Sequence, residues 1–143
     1  MTIPNLFSQR EGGALRVLLV EDNPDHQRIV AHVLNGRGHT VDIAEDGQQA
    51  ICMAQATCYD VILMDVKMPG VDGLEATKAI RAKENGNRRV PILALTAYVM
   101  KGDRERCVAA GMDGYLSKPI NGREMIMLVE TLADGAVTVH DDP

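Results

Sequence analysis

Leu15-Arg16-Val17-Leu18-Leu19-Val20-Glu21-Asp22-Asn23-Pro24 carries the reading that decides the fold. The apolar run with β-branched members is short enough for a buried strand. It stops on two acids. Asn23-Pro24 then supplies a helix cap followed by proline at the first helical position. Beyond it Ile29, Val30, Val33 and Leu34 fall on one helical face, and Gly36 ends the pattern.

Working outward, the same unit recurs. Residues 39–44 read as a second strand and 47–54 as a short helix. Val61-Ile62-Leu63-Met64 is the most apolar run and a third strand. Asp72 caps a helix carrying Leu74, Thr77 and Ile80, with Glu75 placed as in a capping box. Residues 91–95 form a fourth strand, and 100–110 a helix closed by Gly111. Gly114-Tyr115-Leu116-Ser117 is a short fifth strand. The closing helix, 122–132, turns Met125, Leu128, Val129 and Leu132 inward. Five strand–helix units with right-handed crossovers give an α/β fold, a (βα)5 doubly wound parallel sheet of five strands.

A length of 143 residues suits one domain. We place the domain at 15–134, a leader or linker at 1–14 and a tail at 135–143. With 45% hydrophobic and 24% charged residues the chain has the balance of a soluble globular protein. A net charge of -5 argues against a bare nucleic-acid binder, and the adjacent Arg88 and Arg89 do not make a groove. Cys52, Cys58 and Cys107 show no metal-binding spacing and read as buried thiols of a reducing compartment. Neither a secretory segment nor an apolar run of membrane-crossing length is evident, so a cytoplasmic location is expected for the protein, or for a soluble piece of something larger.

In sheets of this kind chemistry gathers beyond the carboxyl ends of the strands. Glu21 and Asp22 follow strand one, Asp65 strand three, Thr96 strand four, and Lys118-Pro119 strand five. Converging carboxylates repel unless a cation sits among them. Mg2+ suits the set: it is hard, takes oxygen ligands and pairs one or two carboxylates with a phosphate. Asp22 and Asp65 could ligate it directly, with Glu21 holding a coordinated water. Lys118 could neutralise an incoming phosphoryl group from the other side, leaving Asp65 as nucleophile. No turnover is implied beyond the domain's own phosphorylation and dephosphorylation.

These residues resemble the receiver domain of two-component response regulators over about 15–134. The resemblance is carried by Val20-Glu21-Asp22-Asn23, Asp65-Val66-Lys67-Met68-Pro69-Gly70-Val71-Asp72-Gly73, Ala94-Leu95-Thr96-Ala97 and Gly111-Met112-Asp113-Gly114-Tyr115-Leu116-Ser117-Lys118-Pro119. It implies a flavodoxin-like strand order, 2-1-3-4-5. It also implies Asp65 as phosphoacceptor, Glu21 and Asp22 as the acidic metal pair, and the Lys67 carbonyl as a further ligand to Mg2+. Lys118 is implied to touch the phosphoryl group, before a cis bond to Pro119. Thr96 and Tyr115 are the implied switch pair, Tyr115 packing inward once Thr96 moves to the phosphoryl group. That would change the surface of the fourth and fifth helices, where a phosphorylation-dependent dimer would form.

The stretch from Leu95 to Cys107 is most similar to receivers of hybrid sensor histidine kinases. A histidine kinase or a histidine phosphotransfer domain is the implied partner, in a phosphorelay read out by phosphotransfer or protein contact. Lys67 and Tyr98 would overhang the phosphoryl site, and Tyr98 would slow hydrolysis by limiting the approach of water. His26, His32, His39 and His140 read as ordinary solvated side chains, His26 alone nearing the carboxyl edge. Met112 and Met125 read as core, and Met68 as part of a loop.

Three other readings fit less well. A flavin-binding module would want hydroxyl or glycine donors where Glu21-Asp22 stand. A phosphatase with an aspartyl nucleophile would want a second Asp at the position of Lys67. A scaffold working without phosphate would not need the full set.

Overall fold

The computed structural model describes residues 13–84, 88–97 and 102–135. Five strands and five helices alternate: β1 (Arg16–Val20), α1 (Pro24–Gly36), β2 (Thr40–Ala44), α2 (Gly47–Ala56), β3 (Val61–Asp65), α3 (Gly73–Lys83), β4 (Ile92–Thr96), α4 (Asp103–Ala110), β5 (Gly114–Ser117) and α5 (Gly122–Ala133). All pairings are parallel, and the sheet order is β2-β1-β3-β4-β5. The expected order holds.

Side chains alternate across each strand, so the central strands feed two cores. On one face Val17, Leu19, Leu63, Leu93 and Leu95 meet Val30 and Leu34 of α1 and Met125 and Val129 of α5. On the other, Leu18, Val20, Ile62, Met64 and Ala94 meet Ala76 and Ile80 of α3 and Cys107 of α4. Every residue of β3 and β4 is buried, which is why those strands read as unbroken apolar runs rather than alternating ones. Each fully buried Leu contributes about 1.5–3 kcal/mol of transfer free energy.

The helix ends follow their sequence signals. Asn23 accepts from the amides of Asp25 and His26, and Asp72 and Glu75 complete a reciprocal capping box. Gly111 closes α4 at φ 107°, where a side chain would be strained. Gly73 brings α3 onto the end of β3: a Cβ there would lie 2.2 Å from the Asp65 carbonyl oxygen.

Several expectations need correction. Ile29 faces outward, 54% exposed, because α1 buries the row through Val30 and Leu34. Leu128 is only partly buried, while Ile126, which the pattern did not place inside, joins the core. Cys52 and Cys58 are exposed, and only Cys107 is buried. Met68 lies in the β3–α3 loop, yet its side chain packs in the second core. His39 is a buried residue, not a solvated one. Its Nδ1 accepts from the Leu15 amide at 3.0 Å, so Nε2 carries the hydrogen and donates to Glu130 at 2.8 Å. Strand boundaries moved by one residue: β2 begins at Thr40, β3 takes in Asp65, and β4 runs from Ile92 to Thr96. The leader through residue 12, the first two positions of the expected fourth helix, and the tail from 136 with His140 lie outside the described residues.

Candidate functional site

β1 and β3 lie side by side at the centre of the sheet, so the acids that follow them meet at one edge. Carboxylate oxygens of Glu21, Asp22 and Asp65 all lie within 4.8 Å of one another. Glu21 is 1% exposed and Asp65 5%, whereas Asp22 opens to solvent. Lys118, carried in from the end of β5, points its Nζ between them, 2.9 Å from Glu21 Oε1 and 3.4 Å from Asp65 Oδ2. The Lys118–Pro119 peptide is cis, as the resemblance implied.

Backbone amides hold both buried acids in place. The Asn23 amide donates to Glu21 Oε2 at 3.1 Å, and the Lys67 amide donates to Asp65 Oδ1 at 3.2 Å. Gln27 of α1 donates its Nε2 to the Glu21 carbonyl at 2.7 Å, tying the first helical turn to the site. Thr96 is buried at the end of β4, and its carbonyl receives the Lys118 amide at 2.7 Å. Thr96 pairs with Ser117 and Ala94 with Tyr115, so the Thr96 and Tyr115 side chains leave the same face of the sheet.

The charge balance is uneven, and the two buried acids respond differently. Burial raises the Asp65 pKa, the Glu21 charge raises it further, and Lys118 only partly offsets both, leaving it at about 6. Burial also works against the Glu21 carboxylate, but Lys118 and the Asn23 amide outweigh it and hold that group below its usual range. Three acids against one ammonium leave a negative cleft of hard oxygen donors, one of them solvent-facing. A small divalent cation such as Mg2+ fits that donor set, and no sulfur ligand is among the three.

The structure brings together Glu21, Asp22, Asp65 and Lys118, with Thr96 behind them. The Lys67 side chain is exposed. Tyr98 lies outside the described residues. His26 sits on the carboxyl edge, its Nδ1 3.4 Å from Lys118 Nζ and 3.6 Å from Glu21 Oε1. Two neighbours escaped the sequence reading. Gln27 gave no signal beyond its place on the first turn, and Arg104, which meets Tyr115 across two elements, gave none.

The receiver profile, described as "Response regulator receiver domain", matches residues 17–130. This chain belongs to that family. Receiver relatives reinforce the assignment. Sensor protein GacS of Pseudomonas syringae pv. syringae is 42% identical over 118 residues, covering 81% of this chain and 13% of GacS. Hybrid signal transduction histidine kinase I of Dictyostelium discoideum is 42% identical over 122 residues, covering 81% of this chain and 7% of that protein. The chain therefore spans a small part of the length of such relatives. Among solved structures, the receiver domain of sensor histidine kinase PA1611 from Pseudomonas aeruginosa PAO1 is 45% identical with a TM-score of 0.79, over 86% of this chain and all of that one. That receiver holds a magnesium ion coordinated in its active-site cleft. A chain of the Saccharomyces cerevisiae complex between the phosphotransfer protein Ypd1 and the Ssk1 receiver is 27% identical with a TM-score of 0.79, over 91% of this chain and 96% of that one. No helix among the described residues is long and apolar enough to cross a membrane.

Proposed function

We propose that this receiver domain takes a phosphoryl group from a phosphohistidine donor onto Asp65, with Mg2+ in the acidic cleft. The observation that carries this reading is Asp65 itself, a nearly buried carboxylate held at the end of β3 between two more acids and Lys118. An Asp65 carboxylate oxygen attacks phosphorus, the P–N bond breaks, and the imidazole leaves with its electron pair. The product is an acyl phosphate on Asp65. When bound, Mg2+ would supply charge neutralisation to the phosphoryl oxygens. Asp22, Asp65 and the Lys67 carbonyl would hold it, with Glu21 orienting a coordinated water. Lys118 neutralises the phosphoryl group from its own side of the cleft.

In this reading Thr96 moves toward the new phosphoryl oxygen and Tyr115 follows into the space beside it. The altered surface lies on α4 and β5 and reaches α5, where Val108 of α4 and Met127 of α5 are exposed apolar side chains suited to a second copy. The donor is a histidine kinase or a histidine phosphotransfer domain, in keeping with the sensor-kinase relatives and with the Ypd1 complex of a structural neighbour. The folded unit is 15–134, with a leader or linker at 1–14 and a tail at 135–143, and the setting is cytoplasmic.

A phosphorylated histidine phosphotransfer domain, mixed with the chain and Mg2+, tests the reading. Loss of label from the donor with gain on this chain, absent in Asp65→Asn, is the expected result. Transfer that persists in Asp65→Asn would overturn the assignment of the acceptor. Light scattering before and after phosphorylation, with Val108→Asp alongside, tests the dimer. A phosphorylated wild type that stays monomeric removes that part of the reading.

A further inference from the structure

Tyr115 is held in its present position from outside the sheet. Arg104, in the first turn of α4, lies over the ring with its guanidinium carbon 5.2 Å from the ring centre. Its Nη2 also donates to the Tyr115 hydroxyl at 3.0 Å. Both contacts depend on the ring standing where it does, partly buried against the second core with its hydroxyl toward α4. A ring turned toward Thr96, which shares its face of the sheet, would carry the hydroxyl away from the guanidinium. Inward Tyr115 and bound Arg104 exclude each other.

The helix that carries Arg104 is lightly anchored. Its N-cap is Gly102, at φ 93° with no side-chain cap, and among its residues only Cys107 and Ala110 are buried. The stack and hydrogen bond from Arg104 therefore join two things at once: the position of the ring and the seat of α4 on β5.

We propose that Arg104 is a latch that holds Tyr115 outward and biases the unphosphorylated domain against its switched state. The inference rests on the Thr96–Tyr115 switch proposed above for its functional meaning, and it names the residue that sets the resting equilibrium. A cation–π contact plus a charge-assisted hydrogen bond is worth about a tenfold bias between two states.

Arg104 is a positioning residue, so its test needs a readout that a merely structural role would not move. The initial rate of Asp65 phosphorylation by subsaturating acetyl phosphate, with Mg2+, supplies one. Arg104→Ala should raise that rate about fivefold to tenfold, with Arg104→Lys between, because lysine keeps the charge and loses the planar stack. Loss of a cation near an anion-binding cleft would by itself slow uptake, so the sign separates latch from electrostatics. In a Tyr115→Ala background the Arg104→Ala effect should vanish.

A rate at or below wild type in Arg104→Ala overturns the latch. So does an acceleration that survives in the Tyr115→Ala background. If the wild type takes up no phosphoryl group from acetyl phosphate, a phosphohistidine donor decides the proposed function, and the latch is decided by the ring alone. Carbon-13 tyrosine spectra with a soluble paramagnetic probe should then show Tyr115 better shielded in Arg104→Ala than in wild type. Equal exposure in the two proteins overturns it.

Discussion

The two ends of the sheet both bury charge, and they do so to opposite effect. At the amino end Glu130 of α5 receives Arg37 through Nε at 2.8 Å and Nη2 at 2.9 Å, and His39 through Nε2 at 2.8 Å. A second cluster there sets Arg81 between Glu84 and Asp113, with Arg89 closing on Asp113. With His39 neutral, its Nδ1 accepting from the Leu15 amide, one carboxylate faces one guanidinium in the first cluster and two face two in the second. At the carboxyl end three acids face one lysine. The amino end is closed electrostatically, and the carboxyl end has room for more positive charge. A buried ion cluster marks a site when its charges do not balance, not merely because it is buried.

Breaking the balanced end should have the largest effect on stability. Glu130→Ala leaves Arg37 buried without its carboxylate and should cost about 3–5 kcal/mol in urea unfolding. If it costs less than about 1 kcal/mol, the amino end is not the closed cluster described. Phosphoryl uptake by the protein that remains folded should be intact.

The unbalanced end should respond in the opposite sense. Without metal, Asp65→Asn removes a charge that its neighbours repel, and should stabilise the protein by about 1–2 kcal/mol. A destabilised Asp65→Asn protein would mean that Lys118 already satisfies the cleft. Mg2+ should narrow the difference, since binding at roughly ten times its Kd stabilises the wild type by about 1.4 kcal/mol. Asp65→Asn should lose most of that gain.

The smallest effect is on the acid limb of stability. Burial opposes the Glu130 carboxylate, but Arg37 and His39 outweigh it and hold its pKa below 4.5. A carboxylate with a lowered folded-state pKa gives stability that is full above its unfolded value and is lost as pH falls through the folded one. Glu130→Gln should therefore flatten the loss of stability below about pH 4.5. An unchanged slope would remove Glu130 from the acid response.

What the sequence disclosed, and what it hid, divides along the same lines. The strands of the centre were legible because both faces are buried, and the acids at their ends were legible because the topology sends them to one edge. Ile29 misled because helical spacing marks an apolar face without fixing its centre, and it stands one position off the buried row. His39 misled because its partner Glu130 lies 91 residues away, beyond any local pattern. Arg104 was hidden for a related reason: its partner is on another element, and an arginine on a polar helix reads as a solvated one. Local periodicity and edge placement are written in the chain, whereas pairings across elements appear only when the chain is folded.

The central claim is that the excess of acid at the carboxyl edge exists to accept a metal and then a phosphoryl group. Intact mass after mixing the chain with Mg2+ and acetyl phosphate, with Asp65→Asn alongside, tests it most directly. The account predicts a gain of one phosphoryl group that disappears without Mg2+ and disappears in Asp65→Asn. A gain that survives either change, or no gain from acetyl phosphate and from a phosphohistidine donor alike, would contradict it.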